Sequence, residues 1–172
     1  FFKNRISSSE ISNIFELGFA PNKNKGLFNY LIKKGFREDI IISSGLCSKN
    51  NNGEIYDRFR DRIIFPIHNS TYEIVGFGGR ALSASANAKY LNSPETEVFQ
   101  KGKLLFNENN CKKNLNGKDV IIVEGYMDVI ALNKVGIKNC VAPLGTAVTL
   151  DQLQRIWRIS KSPIFAFDGD IS

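Results

Sequence analysis

The spacing of hydrophobic and polar positions changes along the chain and predicts two structural parts. Near the start, apolar residues recur every three or four positions, which predicts helices over residues 7–17, 27–31 and 37–43, each followed by a glycine. Strand patterns then take over, because residues 62–67 and 72–79 flank a polar turn and predict a β-hairpin. The first part is therefore predicted to be a mixed α/β subdomain.

The last part of the chain alternates between strand and helix patterns. Residues 119–125 form a continuous β-branched run, typical of a strand covered on both faces, and residues 139–145 and 163–170 are predicted as further strands. Thr149 and Gln152 have the spacing of a capping box for the second intervening helix. The residues predicted to face inward from that helix are Leu150, Leu153, Ile156 and Trp157. This β-α-β-α-β order predicts a parallel sheet with right-handed crossovers.

A polar stretch rich in Asn and Lys, residues 107–117, separates the two patterns. It predicts a domain boundary, with one domain over residues 1–106 and a second over residues 107–172. The fold class is α/β, an α+β subdomain followed by a parallel sheet flanked by helices. The chain has neither an initiator Met nor a signal-peptide pattern, and we expect it to be a segment of a longer protein.

Carboxylates stand at the predicted carboxyl ends of the strands. Glu124 follows the first strand, and Asp168 and Asp170 follow the third. Parallel strands end at the same edge of a sheet, so we expect these side chains to converge there. Asp128 lies about one helical turn after Glu124 and could reach the same edge, or it could cap the following helix.

Clustered carboxylates repel one another unless a cation neutralises them. The candidate ligands are all oxygens, which favours Mg²⁺ or Mn²⁺. Such ions can activate a hydroxyl nucleophile and neutralise phosphate oxygens in phosphoryl transfer. The spacing alone leaves a phosphatase, a nuclease and a polymerase open, and each acid alone could instead be a helix cap or an exposed turn residue.

The cysteine pattern argues against a zinc site in this segment. Cys47, Cys111 and Cys140 are widely spaced, form no CxxC pair and have no metal-ligand spacing with the single His68. We expect free thiols in a reducing cytoplasm. No apolar run approaches the length of about 20 residues that a membrane-spanning helix needs.

Basic residues are concentrated in the first two-thirds of the chain. The formal net charge is +6, with 17 Lys and Arg against 11 Asp and Glu in residues 1–115, and 6 against 6 in residues 116–172. The stretch YDRFRDR, if extended, would carry Arg58, Arg60 and Arg62 on one face. Further candidates for phosphate or base contact lie in GFGGR, KYLNSPET and KGK. A basic surface beside an acidic site favours an enzyme that acts on polyanions, although a solvated basic surface is the simpler alternative.

These stretches carry a family resemblance. In chain order they are YDRFRDRIIFPI, GFGGRAL, KYLNSPET, FQKGKLLF, VEGYMDVIAL, LGTAVT and FDGD. The series resembles the catalytic core of bacterial replicative DNA primases over essentially the whole chain. VEGYMDV followed by FDGD would alone indicate only a Toprim domain, a fold that topoisomerases and some nucleases share.

The resemblance implies roles for individual residues. Glu124 matches the catalytic glutamate, Asp168 and Asp170 match metal-binding aspartates, and Tyr126 and Asp128 belong to the same motif as possible support. Positions that match template or nucleotide contacts are Arg5, Arg58, Arg60, Arg80, Lys89, Tyr90, Asn92 and Lys101. The family core continues beyond FDGD, so the resemblance implies a truncated Toprim sheet.

The resemblance also implies an activity, cofactors and partners. The enzyme would lay short RNA primers on single-stranded DNA from ribonucleoside triphosphates, with Mg²⁺ or Mn²⁺, and zinc would belong only to a domain absent from this chain. The full-length protein would work in the bacterial cytoplasm at the replication fork, with the replicative helicase and single-strand-binding protein and no membrane partner. We expect this segment by itself to have little or no primer synthesis.

Two alternatives stay open. The segment could be a non-catalytic module that binds single-stranded nucleic acid, or it could belong to another Toprim enzyme, a nuclease or a topoisomerase. Metal-dependent DNA cutting without primer synthesis would favour the nuclease, and a topoisomerase would need a nucleophilic tyrosine elsewhere in its chain.

Overall fold

The elements come from a computed structural model that describes residues 9–84, 86–145 and 147–169. In chain order they are α1 (Ser9–Ile14), β1 (Gly18–Ala20), α2 (Gly26–Lys33), α3 (Glu38–Ser43), β2 (Cys47–Lys49), β3 (Ile55–Asp57), β4 (Arg62–His68), β5 (Ile74–Ala81), β6 (Tyr90–Asn92), a 3₁₀ turn (Lys101–Lys103), β7 (Leu105–Phe106), α4 (Glu108–Lys113), β8 (Ile121–Val123), α5 (Tyr126–Lys134), β9 (Cys140–Pro143), α6 (Leu150–Trp157) and β10 (Ile164–Ala166). In the part that the structure describes, no helix has the length and apolar character to cross a membrane.

The chain divides into two compact units that interleave along the sequence. The first unit takes its described residues from Phe1–Phe15, Ile67–Ile74 and Gln100–Ser172, and the second from Glu16–Pro66 and Val75–Phe99. The tip of the β4–β5 hairpin therefore belongs to the first unit and its body to the second. The domain boundary at residue 107 stays a prediction.

The first unit is built on a four-stranded sheet in the order β10-β8-β9-β7. The strands β8, β9 and β10 pair in parallel, with Ile121 opposite both Ile164 and Cys140, and Ala166 opposite Val123. The predicted β-α-β-α-β order and its parallel sheet are confirmed. The short strand β7, antiparallel to β9, was not predicted, since two apolar residues give no readable period.

Helix α6 begins at the predicted capping box, but its buried face differs from the prediction. Thr149 Oγ1 accepts a hydrogen bond from Gln152 N at 3.2 Å, and Gln152 Oε1 accepts one from Thr149 N at 3.0 Å. Ile156 is fully buried, whereas Leu150 is 66% exposed and Trp157 is 55% exposed, so the inward placement of these two was wrong. The buried stripe runs through Gln152 and Ile156, one turn apart, because the amide of Gln152 finds buried hydrogen-bond partners.

The polar stretch after β7 contains a helix that the pattern missed. In α4, Cys111 is fully buried and joins the core of the first unit with Leu105, Val120, Ile122, Val141 and Ile156. Glu108, only 5% exposed, forms ion pairs with Lys112 on its own helix and with Arg155 on α6. A buried carboxylate is tolerated because both cations neutralise it. All three cysteines are free thiols, and burial raises the pKa of Cys111 and Cys140 to about 12.

The second unit contains the predicted hairpin. Strands β4 and β5 lie at the centre of a sheet in the order β1-β4-β5-β6. Gly79 makes room for a neighbouring ring, because a Cβ there would lie 2.7 Å from Phe59 Cδ1. The glycines of the GFGGR stretch thus serve packing and strand pairing.

Helices α2 and α3 are followed by Gly35 and Gly45 at positive φ (89° and 73°), which confirms the helices and their glycine ends.

Asp57, at the end of β3, anchors the start of α2. Its carboxylate accepts hydrogen bonds from Leu27 N at 2.7 Å and Phe28 N at 2.9 Å, the donors that an α-helix leaves unpaired at its first turn. Its own N–H donates to Asn24 O at 2.6 Å. Asp57 is 4% exposed and is a helix cap supplied from a distant part of the chain.

Replacing Asp57 should therefore destabilise the second unit. We expect Asp57→Ala to lower the free energy of unfolding by about 1–3 kcal/mol, because two helix N–H groups lose their acceptor. Urea denaturation followed by circular dichroism measures this change. Asp39→Ala is the matched control, since Asp39 is exposed on α3 and its ion pair is with Arg37, which is also exposed. Equal losses in the two variants would contradict the anchoring role.

Candidate active site

Glu124 and Asp168 lie at the same edge of the parallel sheet. Glu124 directly follows β8 and Asp168 follows β10, and the register of the two strands brings them side by side. Asp168 N donates a hydrogen bond to Glu124 Oε1 at 2.8 Å. Both residues are exposed, so the site can be reached from solvent.

The two supporting residues of the same motif have structural roles. Asp128 Oδ2 accepts a hydrogen bond from Gly125 N at 3.0 Å, which caps the start of α5. The ring of Tyr126 packs edge-on against Phe106 with centroids 4.7 Å apart, and Tyr126 is 6% exposed. The helix that follows Glu124 is thereby fixed at its first turn, which orients the backbone next to the candidate carboxylate.

The donor chemistry at this edge fits a hard divalent cation. Glu124 and Asp168 supply carboxylate oxygens, which Mg²⁺ and Mn²⁺ prefer. Within residues 9–84, 86–145 and 147–169 there is no cluster of three or more His, Cys, Asp or Glu side chains suited to a metal. Asp170, the third predicted ligand, and Arg5, a predicted contact residue, lie outside the described residues. The described part thus brings together two of the three predicted ligands.

Lys101 lies in the same unit as the carboxylates, in a turn that α6 holds by its polar side chains. Gln152 Nε2 donates to Lys101 O and to Leu104 O, each at 3.0 Å, and Gln152 is fully buried. Thr149 Oγ1 donates to Gly102 O. The capping box of α6 therefore also fixes the backbone of the KGK stretch, and a loop that carries two lysines is held rigidly.

The arginines of the YDRFRDR stretch do not form an extended guanidinium face. Strand β3 ends at Asp57 and β4 begins at Arg62, and Asp61 between them has φ of 51°. The period-two interpretation of this stretch was wrong, because a left-handed residue breaks the alternation of faces. Arg62 is buried, within 3.5 Å of the carbonyl oxygens of Gly79 and Lys89.

Arg58 and Arg60 are half-buried and bond to the protein backbone. Arg58 donates from Nε and Nη2 to Asn92 O at 3.1 and 2.9 Å, and burial lowers the pKa of Arg58 from its usual value. Arg60 donates to Asp57 O and lies 5.1 Å from the ring centroid of Tyr56. These contacts pre-orient the guanidinium groups and engage part of their donor capacity.

The remaining predicted contact residues lie on β5, β6 and the loop between them. Arg80 and Tyr90 are opposite each other in the β5–β6 register, and the guanidinium lies 5.5 Å from the ring centroid. Tyr90 is 41% exposed, and Lys89 is exposed next to it. Asn92 is half-buried, and its carbonyl is the acceptor for Arg58. Arg58 and Arg80 thus contact residues of β6, whereas Arg60 contacts residues of β3.

Two protein families match the chain, one over the part that carries the basic residues and one over the part that carries Glu124 and Asp168. Residues 1–112 match the family described as the DNA primase catalytic core, N-terminal domain. Residues 118–172 match the Toprim domain, which includes the sheet edge with Glu124 and Asp168. The chain belongs to the DNA primase family. The resemblance inferred from the motifs and the fold class are confirmed.

Individual primases are similar over nearly the whole chain. A DNA primase of Pseudomonas putida is 46% identical over 172 residues, which cover 99% of this chain and 26% of that protein. The E. coli primase catalytic core has a TM-score of 0.90 at 38% identity, covering 98% of this chain and 54% of that one. A DnaG primase catalytic domain bound to single-stranded DNA has a TM-score of 0.87 at 38% identity, covering 98% and 53%. The chain thus spans about a quarter of the length of its full-length relative.

Sequence reasoning missed two buried polar side chains that hold distant segments of the chain, Gln152 at the KGK turn and Asp57 at the start of α2. Gln152 was assigned only as half of a capping box, and Asp57 only as part of a charged stretch. The capping-box spacing signalled Thr149 and Gln152 locally, but their second partners are 47 to 51 residues away in the chain. No local signal identified Asp57 as the cap of α2.

Replacing Gln152 tests whether α6 holds the KGK turn. Gln152→Leu should lower the free energy of unfolding by about 1–3 kcal/mol, because two buried carbonyl oxygens lose the donor that Gln152 supplies. Urea denaturation provides the measurement. Gln154→Leu, at an exposed position of the same helix, should change the value by no more than about 0.5 kcal/mol. A Gln152→Leu variant as stable as the Gln154→Leu control would rule out the proposed clamp.

Proposed function

We propose that this chain is part of a primase that synthesises short RNA primers on a single-stranded DNA template. The observation that carries the proposal is the pairing of Glu124 with Asp168 at one edge of a Toprim sheet, in a chain of the DNA primase family. The reaction would join ribonucleoside triphosphates: the 3′-hydroxyl of the growing primer attacks the α-phosphate, a new phosphodiester bond forms, and pyrophosphate leaves.

Glu124, Asp168 and Asp170 would hold Mg²⁺ or Mn²⁺. When bound, the ion would favour deprotonation of the attacking hydroxyl and neutralise charge on the phosphate oxygens. The hydrogen bond from Asp168 N to Glu124 Oε1 orients the glutamate and leaves Oε2 outside this contact. Capping by Asp128 and packing by Tyr126 fix the helix start beside Glu124, so both would act by positioning it.

The basic residues would bind template and nucleotide phosphates. Arg58 and Arg60 are half-buried and held by backbone carbonyl groups, so their remaining donors could meet a phosphate with little loss of side-chain entropy. Arg80 is buried against the ring of Tyr90, so we propose that it acts mainly by orienting that ring. The proposed set also contains Lys89, Tyr90, Asn92, Lys101 and Arg5. Exposed Tyr90 offers a face on which a base could stack, and Lys101 lies on a rigid turn.

The full-length protein would meet further partners. By its family membership we propose that it acts with the replicative helicase and single-strand-binding protein at the replication fork in the bacterial cytoplasm. The structure of a related primase domain bound to single-stranded DNA supports the choice of template. A zinc site, if the full-length protein has one, would lie in a domain outside this chain.

Glu124→Gln in the full-length protein should reduce primer synthesis by about 10²-fold or more, because the neutral amide weakens metal binding and charge stabilisation at the reacting phosphate. The assay is incorporation of labelled ribonucleotides on single-stranded DNA with Mg²⁺ or Mn²⁺. Binding of Mn²⁺, followed by electron paramagnetic resonance, should weaken in parallel and is independent of turnover.

Glu97→Gln removes the same charge at an exposed position and should leave both measurements unchanged. Equal incorporation by wild type and Glu124→Gln would sink the catalytic assignment. Metal-dependent cutting of DNA without primer synthesis would instead identify a Toprim nuclease.

A further inference from the structure

A second basic surface lies outside the residues assigned to the proposed site. Residues 17–36 contain four lysines, Lys23, Lys25, Lys33 and Lys34, and no Asp or Glu. An open cleft of about 460 Å³ is lined by Lys23, Lys25, Gly26, Asn29, Tyr30 and Lys33. Together with Lys34 we call these residues the lysine cleft. All of them belong to the second unit.

Helix α2 sets the spacing of the lysine cleft. Gly26, Tyr30 and Lys33 are four and three residues apart, so they share one face of the helix. The stem of Lys23 lies against the helix start, because a Cβ on Gly26 would be 3.1 Å from Lys23 Cβ. Asn29 N bonds to Lys25 O at 3.0 Å, which ties the loop lysine to the helix. Lysines of the loop and of the helix therefore face the same concave surface.

The loop that carries Lys23 and Lys25 is fixed by short backbone contacts. Lys23 N donates to Pro21 O at 2.8 Å, and Asp57 N donates to Asn24 O at 2.6 Å. The carboxylate of Asp57 already occupies the first N–H groups of α2. An anion in the cleft would therefore be held by the lysine ammonium groups and the Asn29 amide, and the helix N-terminus would not contribute.

The positive charge of the cleft is not neutralised by the protein. In the part of the chain that the structure describes, none of the four lysines lies within ion-pair distance of a carboxylate. Lys49, by contrast, pairs with Glu38 at 2.9 Å. Lysine is a flexible point charge, so a group of lysines suits phosphates of variable geometry, such as those along a nucleic-acid backbone.

An aromatic ring completes the surface. Tyr30 is 55% exposed, and Lys34 Nζ lies 5.6 Å from the centre of its ring. Exposed rings among cations are the combination that sequence-tolerant single-strand-binding proteins use, with bases stacked on the ring and phosphates near the cations. Double-stranded nucleic acid would not offer an unstacked base to Tyr30.

We propose that the lysine cleft binds the backbone of single-stranded DNA as a second contact, with Tyr30 as a stacking platform for a base. This inference rests on the proposed function in one respect: it assumes that the protein binds single-stranded DNA. The cleft shares no residue with the proposed contact residues Arg58, Arg60, Arg80 and Tyr90. It would add affinity without reading sequence, since phosphate contacts carry no base information.

The test is binding of a fluorescein-labelled oligodeoxythymidine of about 16 nucleotides to the full-length protein, measured by anisotropy over a range of NaCl concentrations without divalent metal or nucleotide. The variants are Lys23→Gln with Lys25→Gln, and Lys33→Gln with Lys34→Gln. Each pair should weaken binding about 10-fold and make the plot of log K against log salt shallower by about 0.7 for each phosphate that the variant no longer neutralises.

Lys118→Gln with Lys161→Gln removes the same charge from exposed positions in the first unit, at the opposite ends of the strands from Glu124, and should leave the slope unchanged. Tyr30→Leu should weaken binding several-fold, whereas Tyr30→Phe, which keeps the ring, should not. These substitutions are on the surface, so thermal melting should match wild type.

If the lysine-cleft variants show the same slope of log K against log salt as the Lys118→Gln, Lys161→Gln control, the proposal is overturned and the cleft is a solvated surface. Loss of ribonucleoside triphosphate binding with unchanged oligonucleotide binding would also overturn it, in favour of a small-anion site. The outcome is separable from the proposed function, because Glu124→Gln should lose primer synthesis while it retains oligonucleotide binding at this cleft.

Discussion

The parallel pairing of β8 with β10 is the constraint on which the candidate active site depends. Its register places Ala166 opposite Val123, so the residues that follow each strand emerge together. The contact between Asp168 N and Glu124 Oε1 is a direct consequence of that register. A shift of one residue would turn the side chains to the other face, so the chemistry at this edge is tied to the core packing that holds β8 in place.

Two basic segments are held by buried or half-buried polar side chains from elsewhere in the chain. Gln152 and Thr149 fix the KGK turn, and Asp57 fixes the start of α2 and the loop that precedes it. Buried polar groups are costly unless they are satisfied; here Gln152 is satisfied by carbonyl oxygens of Lys101 and Leu104, and Asp57 by the first N–H groups of α2. Positioning of the positive charges and stability of the fold therefore rest on the same hydrogen bonds.

The basic residues fall into two physical classes. Arg58, Arg60 and Arg80 are half-buried or buried and bond to carbonyl groups or pack on an aromatic ring, which gives them defined orientations. The lysines of the cleft are exposed and unpaired with described carboxylates, and they keep their flexibility. Guanidinium groups of the first class suit contacts of fixed geometry, and the flexible ammonium groups of the second class suit contacts of variable geometry.

The sequence by itself determined the features that depend on near neighbours. The β-α-β-α-β order, the glycine ends of α2 and α3, the capping box of α6, the carboxylates at strand ends and the family motifs were all readable, since each is set within a few residues. Tertiary structure alone decided that Leu150 and Trp157 are exposed, that Arg58 bonds to Asn92 O, and that Asp57 caps a helix 30 residues away. These outcomes depend on contacts between residues that are far apart in the chain. The local periodicity of the sequence does not specify which distant residues come into contact.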